Sequence, residues 1–101
     1  MASNTHIARQ IFDGTGARFI LVELDLAITF CQLGLTSTSD SRADRNAANA
    51  ERALEAVSRM KPRIRLSQVE ENEVSAKTSE LKALLEQLKK RPVSSEAGNS
   101  L

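Results

Sequence analysis

The sequence contains no tryptophan and no tyrosine, and aromatic residues make up only 3% of its 101 residues. Alanine, by contrast, occurs thirteen times. Because β-branched and aromatic residues favour strands, this composition gives little support to a β-sheet. Leu, Ile, Val and Phe still total 25 residues, above the roughly 20% below which disorder becomes the default. We therefore expect one small all-α domain.

Residues that carry out chemistry are equally scarce. There is one cysteine, Cys31, and one histidine, His6, which excludes an intramolecular disulfide framework and a thiolate cluster for zinc or iron-sulfur. Asp13-Gly14-Thr15-Gly16 is no nucleotide loop, because no strand precedes it and no lysine follows it. The sequence therefore predicts no catalytic residues, no metal and no cofactor, and we expect a protein that is not an enzyme.

The charge of the chain is nearly balanced, with 14 basic and 13 acidic residues. Global charge thus selects no nucleic acid, membrane or acidic partner. A twenty-residue apolar stretch follows Gly16, but Arg18, Glu23 and Asp25 within it would each cost roughly 2.5 to 3.5 kcal/mol near a bilayer centre. We expect this stretch to be a central helix of a soluble, cytoplasmic protein with no membrane partner.

Turn signals divide the chain at residues 13–16, at residues 36–41, and at Pro62 and Pro92. The intervening stretches predict helices over residues 17–35, 41–61 and 68–91. Asp40 or Ser41 is expected to cap the second helix, and Ser67 with Glu70 forms a capping box for the third. The prediction is an antiparallel three-helix bundle over residues 17–91, with a mobile or short-helical amino segment (1–16) and a disordered tail (92–101).

The second and third helices each have one apolar face at helical spacing. In the second helix this face is mostly alanine, which lets the first helix approach closely. The predicted inner residues are Ala43, Ala47, Ala50, Leu54 and Val57 in the second helix, and Val74, Leu81, Leu84, Leu85 and Leu88 in the third.

An apolar patch on the first helix is expected to stay open. The first half of the third helix, residues 70–80, is polar and offers little to cover Phe19, Ile20 and Val22, and an open patch of large side chains is typical of a binding surface. A cover is available in the amino segment, where three large apolar residues fall on one face of a short helix. We predict that they cover the patch within the chain or across a homodimer. These residues are Ile7, Ile11 and Phe12.

Four basic residues cluster around Pro62 without an intervening acid, and we call them the basic corner. They could contact phosphates, but no aromatic residues lie between them for base stacking. A weak nucleic-acid-binding function is therefore the alternative, and nucleic acid is a disfavoured partner. The basic corner consists of Arg59, Lys61, Arg63 and Arg65.

Ala50, Leu54, Val57 and Pro62 follow one another at spacings of four, three and five. This pattern resembles the second helix of a tetratricopeptide repeat, and the layout is similar to small uncharacterised bacterial all-helical proteins. The resemblance implies a tetratricopeptide-like helical hairpin in the first two helices. It also implies a non-catalytic protein-protein interaction or assembly module, whose partner is another protein or a second copy of the chain.

Overall fold

The computed structural model describes the backbone of residues 2–91 and the side chains of residues 15–91. The chain forms α1 (Ala2–Thr36), α2 (Asp40–Met60), a short 3-10 helix (Lys61–Arg63) and α3 (Gln68–Lys89). These residues contain no strand, and the helices pack against one another. The predicted all-α class is therefore confirmed. The predicted tail, residues 92–101, lies outside the described residues.

The first helix is longer than predicted, because it begins at Ala2 and continues through Gly14 and Gly16. The predicted turn at residues 13–16 was therefore wrong. Glycine in a helix costs only about 1 kcal/mol relative to alanine, and none of the described glycines has a positive φ. Gly16 instead allows close packing, since a Cβ atom there would lie 2.6 Å from Ile64 Cδ1.

The other two helices begin at side-chain caps. Ser39, rather than Asp40 or Ser41, caps α2, and its Oγ accepts a hydrogen bond from the Arg42 backbone at 3.3 Å. In α3 the predicted capping box is confirmed: Ser67 Oγ accepts from the Glu70 backbone at 3.2 Å, and Glu70 Oε1 accepts from the Ser67 backbone at 2.9 Å. Local hydrogen bonding thus sets both starts.

All three helices contribute to one core. The contribution of α2 is mostly alanine, so α1 and α2 lie close together, and Gly34 of α1 approaches Asn46 as well as Leu88 of α3. Of the predicted inner residues, Ala47, Leu54 and Leu84 are only partly buried, and Ala53 is an additional buried residue. The main buried side chains are Ile20, Leu24, Ala27, Ile28 and Cys31 from α1, Ala43, Ala50, Ala53 and Val57 from α2, and Val74, Leu81, Leu85 and Leu88 from α3.

Cys31 is a core residue. Burial raises the pKa of its thiol, and the negative charge of Glu51 raises the pKa further. A raised pKa keeps the thiol protonated and unreactive at neutral pH. Cys31 therefore acts as a small apolar side chain.

Arg91, just beyond α3, holds the connection between α1 and α2. Its guanidinium donates hydrogen bonds to the carbonyl oxygens of Gly34 and Ser37 and pairs with Asp40 at 3.3 Å. The guanidinium therefore ties the end of α3 to the end of α1 and the start of α2.

Candidate interaction surface

One face of α1 exposes a row of large apolar side chains. The exposed fractions are 42% for Phe19, 55% for Val22, 44% for Leu26 and 54% for Leu33. Their spacing of three, four and seven residues places them on one side of the helix, and Thr29, also exposed, completes the row. We call these five residues the α1 stripe.

The α1 stripe lies on the side of the helix that faces away from the core. Ile20, Leu24 and Cys31 of the same helix are fully buried, and at about 100° per residue their mean direction is roughly opposite that of the stripe. Both α2 and α3 contribute to the core that these residues enter. A helix that is apolar all round is typically buried on every side, whereas among the described residues α1 is covered on one side only.

The structure corrects the predicted apolar patch at one position. Phe19 and Val22 are exposed, as predicted, but Ile20 is fully buried in the core. Leu26 and Leu33 were missed, although they continue the spacing of Phe19 and Val22. The sequence could not identify them because both sides of α1 are apolar, and the pattern alone does not say which side faces α2 and α3.

The prediction that residues 7–12 cover this patch within the same chain is wrong. Because α1 is one continuous helix from Ala2 to Thr36, residues 7–12 cannot fold back onto residues 19–22 of the same chain. The side chains of Ile7, Ile11 and Phe12 lie outside the described residues. Cover across a homodimer stays a prediction.

Three charged residues of α1 lie beside the α1 stripe. Asp25 accepts a hydrogen bond from Lys77 of α3, and this bond is the main cause of the raised pKa of Lys77. Arg18 and Glu23 form no ion pair within residues 15–91. Two charges of opposite sign near the stripe are therefore available to a partner.

The basic corner lies where α2 connects to α3. Arg59, Arg63 and Arg65 are exposed, and Lys61 pairs with Glu71 of α3 at 3.4 Å. An acidic residue from the start of α3 thus reaches this corner and neutralises part of its charge.

A groove of about 570 Å³ runs between α2 and α3. Its walls carry three glutamates and two lysines, and Lys89 spans it to Glu51 at 3.7 Å. Among the described residues no group of three or more His, Cys, Asp or Glu side chains could hold a metal ion. Acidic and basic side chains therefore largely compensate each other in this groove.

Part of α1 also meets the length and composition expected of a membrane span. This segment, Thr15–Thr36, contains an 18-residue stretch with a mean hydropathy of 1.7, and one-third of that stretch is buried within the bundle. The core helix of a soluble protein meets the same criteria. Comparisons with protein-family models, curated proteins and solved structures gave no match.

Proposed function

We propose that this chain is a non-catalytic protein-protein interaction or assembly module and that the α1 stripe is its binding surface. The observation that carries the proposal is the row of four large apolar side chains, each about half exposed, on one helix face. A single exposed apolar residue such as Val69 of α3, which is 73% exposed, needs no explanation. A contiguous row of them is typical of a surface that another molecule covers.

The scaffold behind the stripe is well suited to presenting it. The core side of α1 packs on both α2 and α3, so the exposed side is carried on a helix that the bundle supports. Rigid helices hold a binding surface more accurately than loops do. We expect a partner helix to pack along the stripe.

We also propose an antiparallel order for the three helices. Lys61 at the end of α2 pairs with Glu71 at the start of α3, and Arg91 beyond α3 binds the α1–α2 connection. The tetratricopeptide-like hairpin belongs to the same proposal. It is supported by Ala50 and Val57, which are buried as they would be in the second helix of such a hairpin.

Photo-crosslinking of the full chain in the lysate of its own source tests the proposed function. A photoreactive residue replaces Leu26 in the stripe, and the control replaces Gln87, which is exposed on α3. We expect a specific protein adduct from position 26 that Leu33→Lys abolishes, and no such adduct from position 87. Equal labelling from both positions, or an adduct that tolerates Leu33→Lys, would contradict the proposal.

A further inference from the structure

On the basis of the proposed function, we infer that the α1 stripe binds the same stripe of a second copy of this chain, with the two α1 helices parallel. The spacing of the stripe is that of a two-stranded coiled-coil seam. Phe19, Leu26 and Leu33 occupy one heptad position, a, and Val22 and Thr29 occupy the other, d. Because α2 and α3 contribute to the core on the opposite side of α1, they leave the approach of a second copy open.

Charge complementarity favours this pairing. With Phe19 at position a, Arg18 stands at position g and Glu23 at position e. In a parallel coiled coil, residue g of one helix faces residue e of the next heptad in the other helix. Arg18 therefore meets Glu23 of the second copy, and the two-fold symmetry produces this ion pair twice. Neither residue has an ion-pair partner within residues 15–91.

Antiparallel pairings of the same stripe are less complementary. A pairing centred near residue 24 puts Glu23 opposite Glu23 and Asp25 opposite Asp25, and like charges at such positions are unfavourable. Moving the register by one heptad puts Arg18 opposite Asp25, but that carboxylate already accepts a hydrogen bond from Lys77. The free charges beside the stripe are thus matched best in the parallel dimer.

The length of α1 supports the same arrangement. It has 35 residues, against 21 in α2 and 22 in α3, and the α2–α3 connection reaches it at Gly16 through Ile64. The helix then continues towards Ala2 for about 20 Å. Most of the stability of helices in proteins comes from packing against other elements. In the parallel dimer the same segment of the second copy runs beside it.

A bilayer surface is the competing occupant of the stripe. Helices that lie on anionic membranes have a polar face rich in lysine and arginine. Beside the α1 stripe there are instead two acidic residues, Glu23 and Asp25, and one basic residue, Arg18. This charge pattern disfavours an anionic bilayer and is compatible with a protein partner that carries both signs.

Sedimentation equilibrium of the purified full chain tests the dimer. We expect a dimer whose Kd rises by at least about tenfold in Leu26→Lys, while the control Ser79→Lys, on exposed α3 surface, leaves Kd unchanged. Arg18→Glu and Glu23→Arg should each weaken the dimer, and combining them should restore it. Because all four sites are at least partly exposed, circular dichroism should show the same helix content in every variant.

Disulfide formation tests the orientation. In the parallel dimer Leu33→Cys places two thiols side by side, so mild oxidation should yield a covalent dimer. In both antiparallel registers these positions lie more than about 25 Å apart, and no covalent dimer forms. Wild type, whose Cys31 is buried, and Ser79→Cys are the controls. A Leu33→Cys chain that sediments as a dimer but forms no more covalent dimer than Ser79→Cys does would overturn the parallel orientation.

The remaining outcomes separate this inference from the proposed function. A purified chain that stays monomeric while position 26 crosslinks to a different protein overturns the dimer and leaves the proposed function standing. A monomer that binds phosphatidylcholine–phosphatidylglycerol vesicles, and loses this binding in Leu26→Lys, overturns the dimer in favour of a membrane surface. A monomer that shows neither behaviour overturns both the dimer and the proposed function.

Discussion

Replacing Arg91 by alanine should destabilise the bundle more than any other change of a charged side chain within residues 15–91. The side chain is mostly buried and donates hydrogen bonds to the carbonyl oxygens of Gly34 and Ser37 besides pairing with Asp40. A hydrogen bond from a charged group contributes about 1.5 to 3 kcal/mol. The three contacts share one guanidinium and are not additive, so we expect the free energy of unfolding to fall by about 2 to 4 kcal/mol.

The expected loss is measured by urea unfolding, followed by far-ultraviolet circular dichroism at a fixed protein concentration, because self-association makes apparent stability depend on concentration. Lys90→Ala is the matched control. Lys90 is the neighbouring residue, and its only ion pair within residues 15–91 is with Glu86 at 3.4 Å on the exposed surface of α3. Such a pair contributes about 0.3 to 0.5 kcal/mol.

Arg91→Lys separates the charge of this residue from its geometry. Lysine keeps the positive charge but lacks the planar group that reaches several acceptors at once. We therefore expect Arg91→Lys to be less stable than wild type and more stable than Arg91→Ala. If Arg91→Ala loses no more stability than Lys90→Ala does, the guanidinium does not hold the three helix ends together.

Three further predictions test the packing, the surface charges and an ion pair. Ala50→Leu should lower the free energy of unfolding by about 1 to 3 kcal/mol through overpacking, because Ala50 is fully buried between helices. The control Ala48→Leu, on the exposed side of α2, should cost less stability. Equal losses of stability in thermal melts would refute the close contact between α1 and α2 at Ala50. Changing all four residues of the basic corner to glutamine should alter stability little, and gel-shift binding of nucleic acid that weakens with salt and disappears in this variant would support the alternative function. The hydrogen bond with Asp25 raises the pKa of Lys77. The pair therefore stabilises the folded chain fully at pH values below the lysine pKa of the unfolded chain, about 10.4, and this stabilisation is lost as pH rises through the higher pKa of the folded chain. Asp25→Asn should therefore be less stable than wild type in chemical unfolding at neutral pH, by about 0.2 to 1 kcal/mol. A difference in stability that persists at pH values above the folded pKa of Lys77 would contradict the ion pair.

The α1 stripe was only partly predictable from the sequence. Phe19 and Val22 were expected to be exposed because the start of the third helix is polar. They are exposed, but the reason is that they lie on the side of α1 that faces away from the core. Ile20 was placed in the same patch, although it is a core residue. Adjacent residues of a helix point about 100° apart, so an apolar run contains both inner and outer positions, and only the packing of α2 and α3 separates them.

The sequence by itself determined the all-α class and the starts of α2 and α3 to within about a residue. The class follows from composition and apolar spacing. The helix starts follow from hydrogen bonds between a capping residue and the first turn of its own helix. The tertiary structure alone decided three other features. Ile64 packs on Gly16 within a continuous helix, one of two apolar faces of α1 turns inward, and Arg91 reaches the α1–α2 connection. Each depends on residues far apart in the chain, whose contacts form only when the helices pack, and no local pattern encodes them.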